Sequence, residues 1–316
     1  MSNSLNTHTI ATNLRRCFLN LPQTDSAIKR MRQLAAYSCN GEEPEHLLLV
    51  GDSGTGKSTL LKKFISAYPR VEHLEFTEVP VLYTEVPSKI SIKSLAGLML
   101  LNLGSEYWSR GDEVDRTYQL VQLIRACKCR IIILDEVNHL VDRGGAKTNY
   151  AIGDWIKQLG TSANTSIVLA GTLRAKQLLW TNAQLASRYG EILTISPLSM
   201  ENGRAAEFMG ALQSLESLIS PLSSLRLCDE INAQKIAFAT GGRLRSIRKL
   251  LVRAVEIAGA QPRPKLDLGV LSLAFEQVIF AQAGPDRNPF SQKFNGLPLI
   301  GLGEPFAPEE LAYAHR

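Results

Sequence analysis

The chain has 316 residues, 45% hydrophobic and 21% charged, the mix of an ordinary globular protein. That length is enough to bury a sizeable core in one large α/β domain or in two domains. No run of about 18 apolar residues occurs, and the start, MSNSLNTHTIATNLRRC, lacks the apolar core and cleavage site of a secretory leader; neither a membrane span nor export is expected. Lysine and arginine number 35 against 30 aspartates and glutamates, an excess that allows a nucleic-acid partner without requiring one.

Residues 1–45 read as a helical lead-in, with helix formers at helical spacing from Ser26 to Tyr37 and a stop at Asn40-Gly41. His46-Leu-Leu-Leu-Val follows as a short buried strand. After a glycine-rich turn, Ser58 to Tyr68 reads as a helix closed by Pro69. Val79 to Val86 is a second strand; Ile92 to Leu103 and Asp112 to Cys127 are helical patterns broken by Gly104. Arg130 to Glu136 is the most apolar strand, and its unbroken Ile/Leu run is that of a central parallel strand covered on both faces. A helix from Asn149 to Leu159 leads to a strand from Ser166 to Thr172. This alternation predicts an α/β fold with a parallel, doubly wound sheet over residues 46–198.

From Ser199 the strand signal fades. Helical patterns at Glu201 to Leu218, Asp229 to Ala239, Arg245 to Ala258 and Leu266 to Ala281 predict a small helical lid over 199–283. Residues 284–316 carry GPDRNPF and GLPLIGLGEPF with little periodicity, which predicts a flexible, extended tail ordered only against a partner. The five cysteines (17, 39, 127, 129 and 228) are odd in number and scattered; they read as reduced thiols of a cytoplasmic protein.

Between the first strand and its helix stands Gly51-Asp52-Ser53-Gly54-Thr55-Gly56-Lys57-Ser58-Thr59. Strand, G-x-x-x-x-G-K-S, then helix is the context of a phosphate-binding loop. Its glycines let successive N–H groups point at phosphate oxygens, and the positive end of the next helix adds to the field. Lys57 would reach the terminal phosphates of ATP, and the Ser58 hydroxyl would ligate Mg2+. Asp135, ending the most apolar strand, would share that metal, and Glu136 is suited to activate the attacking water. Thr172, at the end of the next strand, could reach the γ-phosphate or the water. Arg188 could be offered to a neighbouring subunit's nucleotide, and Arg245 could touch the phosphates from above.

The set as a whole resembles the AAA+ ATPases and, within them, the TniB/TnsC transposition regulators. The resemblance lies in LLLVGDSGTGKSTLLKKF, VPVLYTEVPSK, CRIIILDEVNHLVD, IVLAGTLRA, QLASRYGEI and TGGRLRSIRKLL, together spanning about residues 25–260. It implies that Thr172 is sensor 1, Arg188 an arginine finger acting in trans, and Arg245 the sensor 2 arginine, with Arg243 and Arg248 beside it. Tyr189 stands where many relatives have phenylalanine. Asn138 and His139 receive no chemical role.

The resemblance further implies an ATPase that uses ATP and Mg2+, assembles as rings or helical filaments on double-stranded DNA, and links a target-selecting protein to a transposase in the bacterial cytoplasm. DNA would be held through its backbone without sequence reading, with Lys89, Lys93, Arg143, Lys147 and Thr148 as candidate contacts. Two other readings share the fold: a clamp loader or replication initiator, and a scaffold with no DNA role. An initiator usually carries a C-terminal winged helix, for which residues 284–316 read as too short and irregular.

Overall fold

The structure, a computed structural model, describes residues 2–40, 44–88, 90–143, 146–201, 203–223 and 225–308. The chain opens with α1 (Ser2–Arg16) and α2 (Pro22–Asn40), and β1 (Leu47–Val50) leads through the glycine loop to α3 (Lys57–Ile65). A two-residue antiparallel ladder, β2 (Val71–Glu72) with β3 (Thr77–Glu78), precedes β4 (Val81–Glu85), α4 (Ile92–Leu103) and α5 (Glu113–Ala126). Next come β5 (Ile131–Asp135), α6 (Asn138–Arg143), α7 (Ala146–Ala163) and β6 (Ser166–Gly171). A 3-10 turn, Leu173–Ala175, and the short helices α8 (Lys176–Thr181) and α9 (Ala183–Ala186) lead to β7 (Glu191–Thr194). The remainder holds α10 (Ala205–Ile219), α11 (Glu230–Thr240), α12 (Leu244–Gly259) and α13 (Leu268–Val278).

Two compact units result: residues 23–53 with 57–195, and residues 1–22, 54–56 and 196–316. In the first, five strands form a sheet in the order β4-β5-β6-β1-β7, with every pairing parallel. Successive residues of a strand point to opposite faces, and both faces here are apolar. Leu48, Val50, Ile132, Leu134, Ile167 and Leu169 pack with Met99, Leu120 and Ile156 of α4, α5 and α7. Leu47, Leu49, Ile131, Ile133, Val168 and Ala170 pack with Met31, Leu34, Leu60 and Phe64 of α2 and α3. Double coverage explains why β1, β5 and β6 read as unbroken apolar runs. β7 is absent from the sequence-based expectation; it is an edge strand, half-buried, with Ile192 exposed.

The second unit is helical. Its core joins Leu14 of α1 to Phe208, Leu212, Ile236, Ile247, Leu251 and Phe275. The expected lead-in over 1–45 is therefore divided: α1 lies in this unit and α2 in the other. Beyond α13 the chain is irregular, but it is not the flexible tail that its composition predicts. Phe290, Leu299 and Phe306 are buried in the helical core. The Arg287 guanidinium donates to Glu304, Asn295 Oδ1 and the carbonyls of Leu297 and Pro298. The buried Asn288 amide donates to Ser272 and Glu276. Side chains thus satisfy a backbone that makes little regular structure, through residue 308; residues 309–316 lie outside the described chain.

Candidate nucleotide site

The glycine loop leaves the C-terminal end of β1, where the Gly51 N–H donates to the Gly171 carbonyl at the end of β6 (3.2 Å). Gly54 (φ +83°) and Gly56 (φ +105°) hold left-handed backbone that side-chain-bearing residues adopt only with strain. α3 begins at Lys57, so the loop N–H groups and the positive end of the helix lie together at the C-terminal edge of the sheet. The Lys57 ammonium, only 6% exposed, donates to the carbonyls of Gly51 (2.7 Å) and Asp52 (2.9 Å). Ser58, next in the helix, is half-buried, and Thr59 is exposed.

Asp135 ends β5 and is 2% exposed. Its two oxygens are held separately: Oδ1 accepts the Glu136 N–H (2.9 Å) and Oδ2 accepts the Tyr83 hydroxyl (3.1 Å). Burial, and then the charge of Asp135, push the Tyr83 phenol above its ordinary range, so it remains a donor. Glu136 has φ +58°, a left-handed conformation costing about 1–3 kcal/mol for a non-glycine residue. This turn breaks the strand direction and lets the Val137 N–H reach the Ala170 carbonyl (2.9 Å).

β6 lies beside β5 in register, Leu134 opposite Leu169, so Thr172 follows at the same edge as Asp135 and Glu136. The Thr172 hydroxyl oxygen is buried and has no hydrogen-bond partner among the described residues. Its N–H donates to Asn138 Oδ1 at 3.0 Å. Buried polar atoms are seldom left unsatisfied, and a bound water, ion or ligand is the usual partner of one that is. Ser58 and Asp135 supply oxygen donors suited to Mg2+. No group of three or more His, Cys, Asp or Glu side chains that could hold a metal ion occurs among the described residues.

Arg188 lies elsewhere. It precedes β7, which runs parallel to β1 with Glu191 opposite Leu47, so it stands at the N-terminal edge of the sheet. Next to it, Tyr189 stacks on His46 with ring centroids 5.2 Å apart. His46 Nδ1 accepts the Ile167 N–H (3.0 Å), and burial followed by the charge of Arg188 pushes the imidazole down to about 4. Gly51 lies five residue steps beyond His46; at about 3.3 Å each, the two edges are roughly 16 Å apart. Arg188 therefore cannot reach the phosphate loop of its own chain.

Within the helical unit, the Arg245 N–H donates to the Gly54 carbonyl (2.9 Å). Of the two arginines beside it, Arg243 lies over the Phe306 ring (4.8 Å) and Arg248 donates to the Cys17 carbonyl (2.8 Å). Both Arg245 and Arg243 pass the loop glycine: a Cβ on Gly54 would meet Arg245 Cβ at 3.2 Å and Arg243 Cβ at 3.8 Å.

Among the candidate DNA contacts, Lys93 and Thr148 are exposed. Lys89 lies outside the described residues, as do the side chains of Arg143 and Lys147. All five follow the C-terminal ends of β4 and β5. Sequence reasoning missed Tyr83 and Asn138 as partners of the edge residues, because only strand register and the α6 turn bring them there.

The family described as bacterial TniB protein matches residues 10–195, more than half of the chain. ORC1-type DNA replication protein 1 of Sulfurisphaera tokodaii is 25% identical over 163 residues, covering 50% of this chain and 40% of that protein. The Aeropyrum pernix ORC2 protein, solved as ADPNP–ADP complexes, superimposes with a TM-score of 0.57 at 17% identity, covering 80% of this chain and 66% of that one. The Aeropyrum pernix ORC1 protein in complex with DNA does so with 0.56 at 18%, covering 83% and 67%. The fold is that of the P-loop AAA+ ATPases. The chain spans less than half the length of the curated relatives it matches.

Proposed function

The chain belongs to the bacterial TniB protein family, and on that premise we propose that it is an ATPase that assembles on duplex DNA and links a target-selecting protein to a transposase. The observation that carries this reading is the division of the site. Loop, Asp135, Glu136 and Thr172 share one edge of the sheet while Arg188 occupies the opposite one. A site of this kind is completed by a second copy of the chain, so assembly and hydrolysis are one event.

In this reading the loop N–H groups and Lys57 would hold the phosphates of ATP, and Ser58 and Asp135 would hold Mg2+. The metal, when bound, neutralises charge on the terminal phosphates. Tyr83 and the Glu136 N–H aim the Asp135 carboxylate. Glu136 takes a proton from the attacking water as that oxygen bonds to the γ-phosphorus and ADP leaves. Thr172 donates to a γ-phosphate oxygen, and Arg188 of the neighbouring subunit, with Arg245, offsets the developing charge.

DNA is held by its phosphates through Lys89, Lys93, Arg143, Lys147 and Thr148 in segments after β4 and β5, so affinity falls steeply with salt. No helix among the described residues is long and apolar enough to cross a membrane. The similarity to an ORC1-type DNA replication protein supports a second reading, a replication initiator, with the same chemistry but no transposase partner. Electron microscopy of the protein with ATP, Mg2+ and duplex DNA at low salt is expected to show ordered oligomers along the DNA. Absence of DNA-dependent assembly there overturns the proposal.

A further inference from the structure

Asn138 and His139 open α6 directly after Asp135, Glu136 and Val137, and the reading above leaves both without a task. Their side chains tie that turn to the strand ends on either side. Asn138 is 6% exposed, and its Oδ1 accepts the Thr172 N–H at 3.0 Å. The ladder between β5 and β6 stops at Leu134 and Leu169, so this N–H lies beyond the regular pairing and Asn138 supplies its acceptor. On the other side, His139 Nδ1–H donates to the Val86 carbonyl (2.7 Å), while the Val86 N–H donates to the Asp135 carbonyl (2.9 Å).

The fit around Asn138 is close. A Cβ on Gly171 would come within 2.7 Å of Asn138 Oδ1 and 3.2 Å of Ala175 Cβ, so the amide reaches Thr172 only because residue 171 is glycine. The next residue carries the buried, unpartnered hydroxyl. The direction of that hydroxyl follows from the backbone of Thr172, to which Asn138 supplies the one side-chain bond among the described residues. Acid pair and threonine are thereby joined across two strands by a single amide.

We propose that Asn138 is a positioning residue for ATP hydrolysis, aiming the Thr172 hydroxyl at the γ-phosphate; this rests on the functional reading above. Misplacing a group by about 1 Å can cost on the order of a hundredfold in rate. Asn138→Ala is therefore expected to lower kcat by roughly ten- to a hundredfold with KM for ATP changed less than about twofold. Asn138→Asp keeps an oxygen acceptor in place and is expected to recover most of the loss. In a Thr172→Val background, where the hydroxyl is gone, Asn138→Ala is expected to lower kcat no further.

The assay is steady-state phosphate release, with nucleotide affinity measured separately. Wild-type kcat in Asn138→Ala overturns the inference, and so does an equal further loss in the Thr172→Val background. If Asn138→Ala does not fold, Asn138→Asp decides: a kcat as low as that of Thr172→Val overturns it. A wild-type protein that hydrolyses no ATP instead removes the functional reading itself.

Discussion

Arg188→Ala tests the two-edged arrangement of the site. The side chain stands roughly 16 Å along β1 from its own phosphate loop, so its loss leaves nucleotide binding by the same chain intact. Arginine fingers in related phosphoryl-transfer enzymes supply about 10³–10⁵ in rate, which corresponds to about 4–7 kcal/mol of barrier. Pure Arg188→Ala protein is therefore expected to bind ATP at wild-type affinity and to release phosphate at no measurable rate. Glu136→Gln is expected to be equally inactive, for the opposite reason: it has a finger but no water-activating carboxylate. Mixed one to one in a head-to-tail assembly, about a quarter of the interfaces pair an intact site with an intact finger, so roughly a quarter of wild-type turnover returns. Phosphate release is followed against mixing ratio, with nucleotide binding measured in parallel. Wild-type turnover by Arg188→Ala alone, or a mixture that stays inactive, refutes the reasoning.

Two further outcomes concern stability. The His46 imidazole is held down at about 4 against its ordinary 6.5, so between these values the unfolded chain binds a proton that the folded chain refuses. Stability is full above pH 6.5 and falls as pH drops through that window, by up to about 3 kcal/mol. Urea melts at pH 7 and pH 4.5 are expected to show this loss in the wild type and a smaller one in His46→Gln; equal losses refute it. The Phe306 ring is buried beneath the Arg243 guanidinium, and Phe306→Ala is expected to cost about 3 kcal/mol in thermal or urea melts. Unchanged stability would return this segment to a loose tail.

The phosphate loop, Asp135 and Glu136 were legible because each follows a strand buried on both faces, whose apolar run announces where it ends. The place of Arg188 was legible only as resemblance. Its physical basis is β7, a half-buried edge strand with no such run, and without the Leu47–Glu191 register nothing assigns the arginine to an edge. Among Arg243, Arg245 and Arg248, resemblance alone singles out Arg245; in the structure its backbone N–H meets Gly54, while Arg243 lies over Phe306 and Arg248 donates to the Cys17 carbonyl. The packing of residues 284–308 was hidden for a related reason. Periodicity detects helices and strands, whereas this segment is held by Arg287, Asn288 and three buried apolar residues at irregular spacing.

α1 also constrains the order in which the chain is built. Ile10, Ala11 and Leu14 belong to the core that α12 and α13 complete, and the Arg15–Glu256 ion pair joins residues 241 positions apart. At about 5–20 residues per second, a ribosome needs on the order of tens of seconds to deliver α12 after α1. Residues 23–195, whose strands and helices lie between, can meanwhile complete their own core. α1 is thus made well before the helices that seat it, and its apolar stripe spends that interval exposed to whatever else the nascent chain or its surroundings present.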